Sequence, residues 1–187
     1  MKNVAIFASG EGTNAENLFK YFANDPRVKI KLVITNKDKS GVIKKAEQYK
    51  KNVQIISKEA LENYTAQIIE FLKVENIDLI VLAGFLLKIP EDFIKAFPNK
   101  IINIHPALLP KYGGKGMHGL NVHKAVIENK EMESGATVHF INEEYDKGEI
   151  ILQGKCKVES NETPESLSQK IRNLEFELLP KAIEKFL

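Results

Sequence analysis

Apolar runs of strand length alternate with helical stripes along this chain, and that rhythm restricts its possible folds more than any other feature. Residues 4–8, 30–35, 53–56, 77–83 and 101–104 read as strands. Between them Ala15, Leu18, Phe19 and Phe22 fall at i, i+3, i+4 and i+7, and Leu61, Tyr64, Ile68 and Leu72 make a second stripe. Phe93, Ile94 and Phe97 form a third behind Pro90. Strand–helix alternation calls for right-handed crossovers, hence an α/β fold with a doubly wound, mostly parallel sheet and helices on both faces. After a loop over residues 110–117 the rhythm changes to a helix over 119–128 and two long strand patterns, 135–142 and 149–158. That brings the sheet to about seven strands, with an antiparallel strand expected near its C-terminal end. A last helix from about Thr163 carries Leu167, Ile171, Leu174 and Leu178 on one face.

With 187 residues and 43% hydrophobic content, the chain can bury one good core, and a single domain over residues 1–187 is expected. The balance of 27 basic against 25 acidic residues leaves a formal charge of +2, so no electrostatic footprint for nucleic acid or membrane is present. The pairs Lys44-Lys45 and Lys50-Lys51 read as a solvated helix face. One cysteine, Cys156, precludes an intrachain disulfide and fits a reducing compartment. The apolar run over residues 4–8 is too short for a signal peptide, and no later run is long enough to span a membrane, so a cytoplasmic protein is expected.

In such a sheet ligands bind beyond the carboxyl ends of the strands, which directs attention to the loops after strands one, four and five. The first is Ser9-Gly10-Glu11-Gly12-Thr13-Asn14, opening a helix. Its glycines and the positive helix end suit an anion, and phosphate is the natural guest. Gly10, Gly12 and Ala15 also satisfy a dinucleotide fingerprint, but Thr35-Asn36-Lys37 replaces the acid wanted at the second strand's tip. The second loop, Leu82-Ala83-Gly84-Phe85-Leu86-Leu87-Lys88-Ile89, bends at a glycine and offers leucines to a flat ring.

The third loop follows the strand that carries Asn103 and His105, two positions apart and so on one face, before the stiffening Pro106. A carboxamide and an imidazole there can reach one reacting atom. Between the last two strands, Glu143-Glu144-Tyr145-Asp146-Lys147-Gly148 could return an aspartate to His105 to orient the ring and support its charged form. His118, His123 and His139 lack paired metal-ligand spacing, so no metal is expected. Ser9 begins its glycine turn instead of sitting between the glycines, which excludes a serine hydrolase elbow.

Together these segments resemble the phosphoribosylglycinamide formyltransferase family over nearly the whole chain. The family's Ser-Gly-x-Gly-[Ser/Thr]-Asn loop matches residues 9–14, Leu-Ala-Gly-Phe matches 82–85, Asn-x-His-Pro-[Ser/Ala]-Leu-Leu-Pro matches 103–110, and Asp-x-Gly matches 146–148. The resemblance implies transfer of the formyl group of 10-formyltetrahydrofolate to the amine of glycinamide ribonucleotide in de novo purine biosynthesis, without metal or nicotinamide cofactor. It divides the chain into a phosphate-loop half, 1–100, and a catalytic and folate-loop half, 101–187. Asn103, His105 and Asp146 would be catalytic. Gly12, Thr13 and Asn14 would take the ribonucleotide's phosphate, and Glu175 would bind the ribonucleotide. Folate would be held by Leu86, Leu87, Lys88, Ile89, Asn103, Asn142, Glu143, Glu144, Tyr145 and Asp146. The implied partners are the two small-molecule substrates, on a monomer or homodimer, with no nucleic acid and no membrane.

Two features depart from the family pattern. Gly113-Gly114-Lys115-Gly116-Met117 stands where the commoner pattern is shorter, and residues 58–62 lack an arginine for the folate tail, leaving Lys58 as a candidate. Among enzymes sharing the signature, a methionyl-tRNA formyltransferase is expected to carry a basic C-terminal domain. Formyltetrahydrofolate hydrolase, expected to carry an N-terminal regulatory domain, is the alternative reading.

Overall fold

The computed structural model describes residues 1–187. Seven strands form one sheet in the order β3-β2-β1-β4-β5-β6-β7. They are β1 (Lys2–Phe7), β2 (Val28–Thr35), β3 (Asn52–Ile55), β4 (Leu79–Leu82), β5 (Ile101–His105), β6 (Glu133–Phe140) and β7 (Ile150–Lys157). The pairs β1/β2, β1/β4, β2/β3 and β4/β5 are parallel, and β6/β7 is antiparallel, so the expected mixed sheet is the one observed. The helices are α1 (Thr13–Tyr21), α2 (Gly41–Gln48), α3 (Lys58–Asn63), α4 (Thr65–Val74), α5 (Glu91–Ala96), α6 (Leu120–Glu128) and α7 (Pro164–Glu184). None is long and apolar enough to cross a membrane.

The chain divides into two compact units, Met1–Asn103 with Leu187, and Ile104–Phe186. In the first, β1 and β4 are fully buried from Val4 to Phe7 and from Leu79 to Leu82, which explains their unbroken apolar reading. Phe7 anchors this core with edge-on contacts to Phe85 and Phe93. Glu16 on α1 accepts from Lys45 on α2 at 2.8 Å and pairs with Lys20 at 2.7 Å, so the two bonds hold its carboxyl down to about 2.

The stripe Leu61, Tyr64, Ile68, Leu72 is not one helix. The chain breaks at Tyr64, whose φ of −121° is not helical, and α3 and α4 lie on either side. Thr65 Oγ1 donates to the Leu61 carbonyl at 2.6 Å across the break. Tyr64 is therefore 58% exposed, and Ile69 joins Ile68 and Leu72 in the core in its place.

In the second unit α7 begins with a capping box between Thr163 and Ser166, with Pro164 in its first turn. Leu167 and Ile171 enter a cluster with Val126, Ala136 and Val158, against which Leu174, Leu178 and Tyr112 pack. Strand β6 is buried from Ser134 to His139, whereas β7 alternates and forms the sheet's edge.

Candidate active site

In the first unit the strand order reverses between β1 and β4, the position where doubly wound sheets open a crevice. The loop leaving β1 is tied down on two sides. Ser9 Oγ donates to Asn36 Oδ1 at 2.5 Å and accepts from the Leu86 amide at 2.9 Å, while the Ser9 amide donates to the Gly84 carbonyl at 3.0 Å. Opposite, Ser40 Oγ and the Val42 amide both donate to the Gly10 carbonyl, at 2.7 and 3.1 Å. Gly12 has φ +70°, and a Cβ there would lie 2.6 Å from Val42 Cβ and 2.7 Å from its Cα, so only glycine fits. Helix α1 then starts at Thr13 without a side-chain cap, and its dipole and first amides make an anion seat beside Thr13 and Asn14.

From β4, Leu86 is half exposed, Leu87 half buried and Lys88 exposed. Ile89 is only 4% exposed, so its side chain belongs to the core and it can meet a ligand only through its backbone.

Asn103 and His105 sit two residues apart on β5, Asn103 half buried and His105 buried. His105 Nε2 lies 2.8 Å from the Tyr112 carbonyl, and because a carbonyl only accepts, Nε2 carries the hydrogen. His105 Nδ1 faces Asp146 Oδ2 at 3.6 Å. The other carboxylate oxygen faces His139 Nε2, also at 3.6 Å, and His139 Nδ1 is committed to the Phe140 carbonyl at 2.8 Å. Asp146 thus lies between two imidazole nitrogens that are bare when the rings are neutral. One added proton on either ring would be drawn to it. The Gly114 amide donates to Asp146 Oδ2 at 2.8 Å.

Burial pulls the His105 pKa down, and this outweighs the upward push of Asp146 and of the bond to Tyr112. The imidazole therefore rests neutral, and Asp146 offsets only part of its desolvation. For Asp146, burial acts upward, but His139, His105 and the Gly114 amide together hold its carboxyl below the ordinary value.

The aspartate's placement depends on two glycines. A Cβ on Gly148 would stand 1.7 Å from the Phe140 carbonyl oxygen, and one on Gly113 would meet Leu109 Cδ2 at 2.7 Å. In the same loop Asn142 Oδ1 accepts from the Glu144 amide at 3.0 Å, Glu144 pairs with Lys147, and Glu143 and Tyr145 are exposed. Glu175 is half buried on α7.

The family profile described as formyl transferase matches residues 2–183. The chain belongs to the formyl transferase family. It is 37% identical over 188 residues to the chloroplastic phosphoribosylglycinamide formyltransferase of Arabidopsis thaliana, covering 97% of this chain and 64% of that protein. Against the phosphoribosylglycinamide formyltransferase of Haemophilus influenzae it is 35% identical over 190 residues, covering 100% of this chain and 87% of the relative. The crystal structure of the enzyme of that name from Bacillus halodurans superposes with a TM-score of 0.89 at 32% identity, covering 100% and 95% of the two chains. The chain spans 64% and 60% of the lengths of the two chloroplastic relatives it matches, from Arabidopsis thaliana and Vigna unguiculata.

Several groups that build this family site are not evident from motif reading. His139 was considered only as a metal ligand, although it follows Thr137 at strand period and so shares its face. Thr137 Oγ1 donates to the Ala107 carbonyl at 2.6 Å and accepts from the Leu109 amide at 3.2 Å and Gln153 Nε2 at 2.8 Å, fixing the loop after His105. The segment that departs from the family pattern supplies the Gly114 amide to Asp146, and the Tyr112 carbonyl just before it holds His105.

Proposed function

We propose that this chain is a single formyltransferase domain, acting in the cytoplasm as a monomer or homodimer, that transfers formyl from 10-formyltetrahydrofolate to the amine of glycinamide ribonucleotide. The observation that carries this reading is the set Asn103, His105 and Asp146, with both nitrogens of His105 engaged from within the fold. The amine nitrogen attacks the formyl carbon, and the Asn103 carboxamide donates to the oxygen as it gains charge. The carbon–nitrogen bond to the folate then breaks. The proton lost by the amine returns to the folate nitrogen through His105, whose Nδ1 is bare and faces Asp146.

Gly12, Thr13 and Asn14 take the substrate phosphate, and Glu175 binds the ribonucleotide. Folate is held by residues 86–89 and 142–146 and by Asn103. The nucleophile is the substrate's own amine, so the reaction requires neither metal nor nicotinamide.

Consumption of 10-formyltetrahydrofolate by the purified protein, followed with and without glycinamide ribonucleotide, tests this reading. Strict dependence on the ribonucleotide is expected. Equal turnover in water alone would instead establish a hydrolase.

A further inference from the structure

Within the second unit, a cavity of about 290 Å³ opens between Leu108, Pro110, Tyr112, Val126 and Ser134. It has room for on the order of ten non-hydrogen atoms. The lining does not include His105 or Asp146. Ser134 is 2% exposed, and its hydroxyl has no hydrogen-bond partner, an arrangement that is costly unless something in the cavity answers it. The charges at the rim are already paired. Lys111 Nζ lies 2.9 Å from Glu131 Oε1, which also accepts from the Tyr112 hydroxyl at 3.0 Å, and Glu133 is bonded to Lys155 at 2.9 Å. The cavity therefore offers apolar walls and one hydroxyl able to donate or accept, but no free charge.

Tyr112 connects this cavity to the histidine. It lines the cavity, it has the left-handed φ of +56° that a non-glycine residue adopts only at a cost, and its carbonyl accepts from His105 Nε2 at 2.8 Å. We propose that the cavity is an effector site for a neutral, ring-sized molecule with one hydrogen-bonding group, which meets Ser134 and acts on His105 through Tyr112. The binding half stands on the cavity alone, whereas the regulatory half rests on the role proposed above for His105.

Benzamide, a neutral ring bearing an amide, is a suitable probe, titrated into the full chain by NMR. Saturable shifts are expected at the Ser134 and Val126 amides, together with a moved titration midpoint for the His105 imidazole. Ser134→Ala should bind about tenfold more weakly, the scale of one hydrogen bond to a buried hydroxyl. Ser134→Val fills the space and removes the unanswered hydroxyl, so it should melt no lower than wild type and lose the shifts. No saturable shift up to the solubility of benzamide would overturn the proposal, and equal binding to Ser134→Val would mean an adventitious additive only. Saturation with an unmoved His105 midpoint would overturn the regulatory half. These readouts do not depend on turnover, so a failure of the transferase assay is separable from a failure here.

Discussion

Asp146 Oδ1 lies 3.6 Å from His139 Nε2, and this contact makes the aspartate a bridge between two histidines and not the partner of one. Each ring's other nitrogen donates to a backbone carbonyl, so neither can rotate to offer Asp146 a hydrogen without breaking a buried bond. A single proton shared over the three groups is the arrangement these contacts favour.

Replacing Asp146 with Asn removes the charge that pushes the His105 pKa up, and burial then acts with less opposition. The His105 midpoint should fall further below the ordinary histidine value, and kcat should fall with it. Imidazole resonances followed across pH in wild type and variant, alongside turnover, check this. A midpoint unchanged or raised with full activity would refute the pairing.

His139→Gln tests the other side of the bridge. His139 helps hold the Asp146 carboxyl down, and its own charged form acts against that of His105. The variant should therefore raise the Asp146 pKa and shift the pH profile of kcat, with a loss of about tenfold, below the hundredfold typical of removing a proton-transfer group itself. Asn103→Ala and His105→Ala should each cost about a hundredfold or more in kcat, with much smaller changes in substrate dissociation constants. A His139→Gln enzyme with wild-type pH dependence would make His139 a packing residue only.

Gly12→Ala places a methyl against the backbone of Val42 and forces φ +70° on a residue with a side chain. The loop from Ser9 to α1 must move, so the KM for the ribonucleotide should rise well above any change in the KM for the folate. Gly10→Ala is the internal control, since nothing lies within 4 Å of its added methyl. Equal effects of the two substitutions would remove the phosphate-seat argument.

The parallel core of the fold was readable because β1 and β4 are buried throughout and so appear as unbroken apolar runs. The α3–α4 break was hidden because Leu61, Ile68 and Leu72 are buried on both sides of it, and the stripe persists while the backbone does not. In the candidate site, Asn103, His105 and Asp146 could be picked out by residue type and strand period. The Tyr112 carbonyl and the Gly114 amide could not, because backbone groups leave no mark in a sequence. His139 was visible as a residue but not as a partner, since its role depends on how the loop ending at Gly148 returns over Phe140.

His123 gives the protein a defined acid sensitivity. It is 3% exposed on α6, its Nδ1 has no hydrogen-bond partner, and burial, with lesser contributions from His105 and Arg172, pushes its pKa from 6.5 to about 4. Between those values the unfolded chain binds a proton at this ring that the folded chain refuses, so stability is fully present above pH 6.5 and is lost as the pH falls toward 4. A shift from 6.5 to about 4 corresponds to roughly 3 kcal/mol, at about 1.4 kcal/mol per unit. His123→Leu keeps a similar apolar volume and removes the titration, so urea unfolding should show the variant losing less stability than wild type on going from neutral pH to about 4, by up to roughly that amount. His105, His139 and Asp146 still titrate in both proteins, which makes the difference between the two pH slopes the quantity to measure. Parallel slopes would mean that His123 takes up its proton in the folded state as readily as in the unfolded chain.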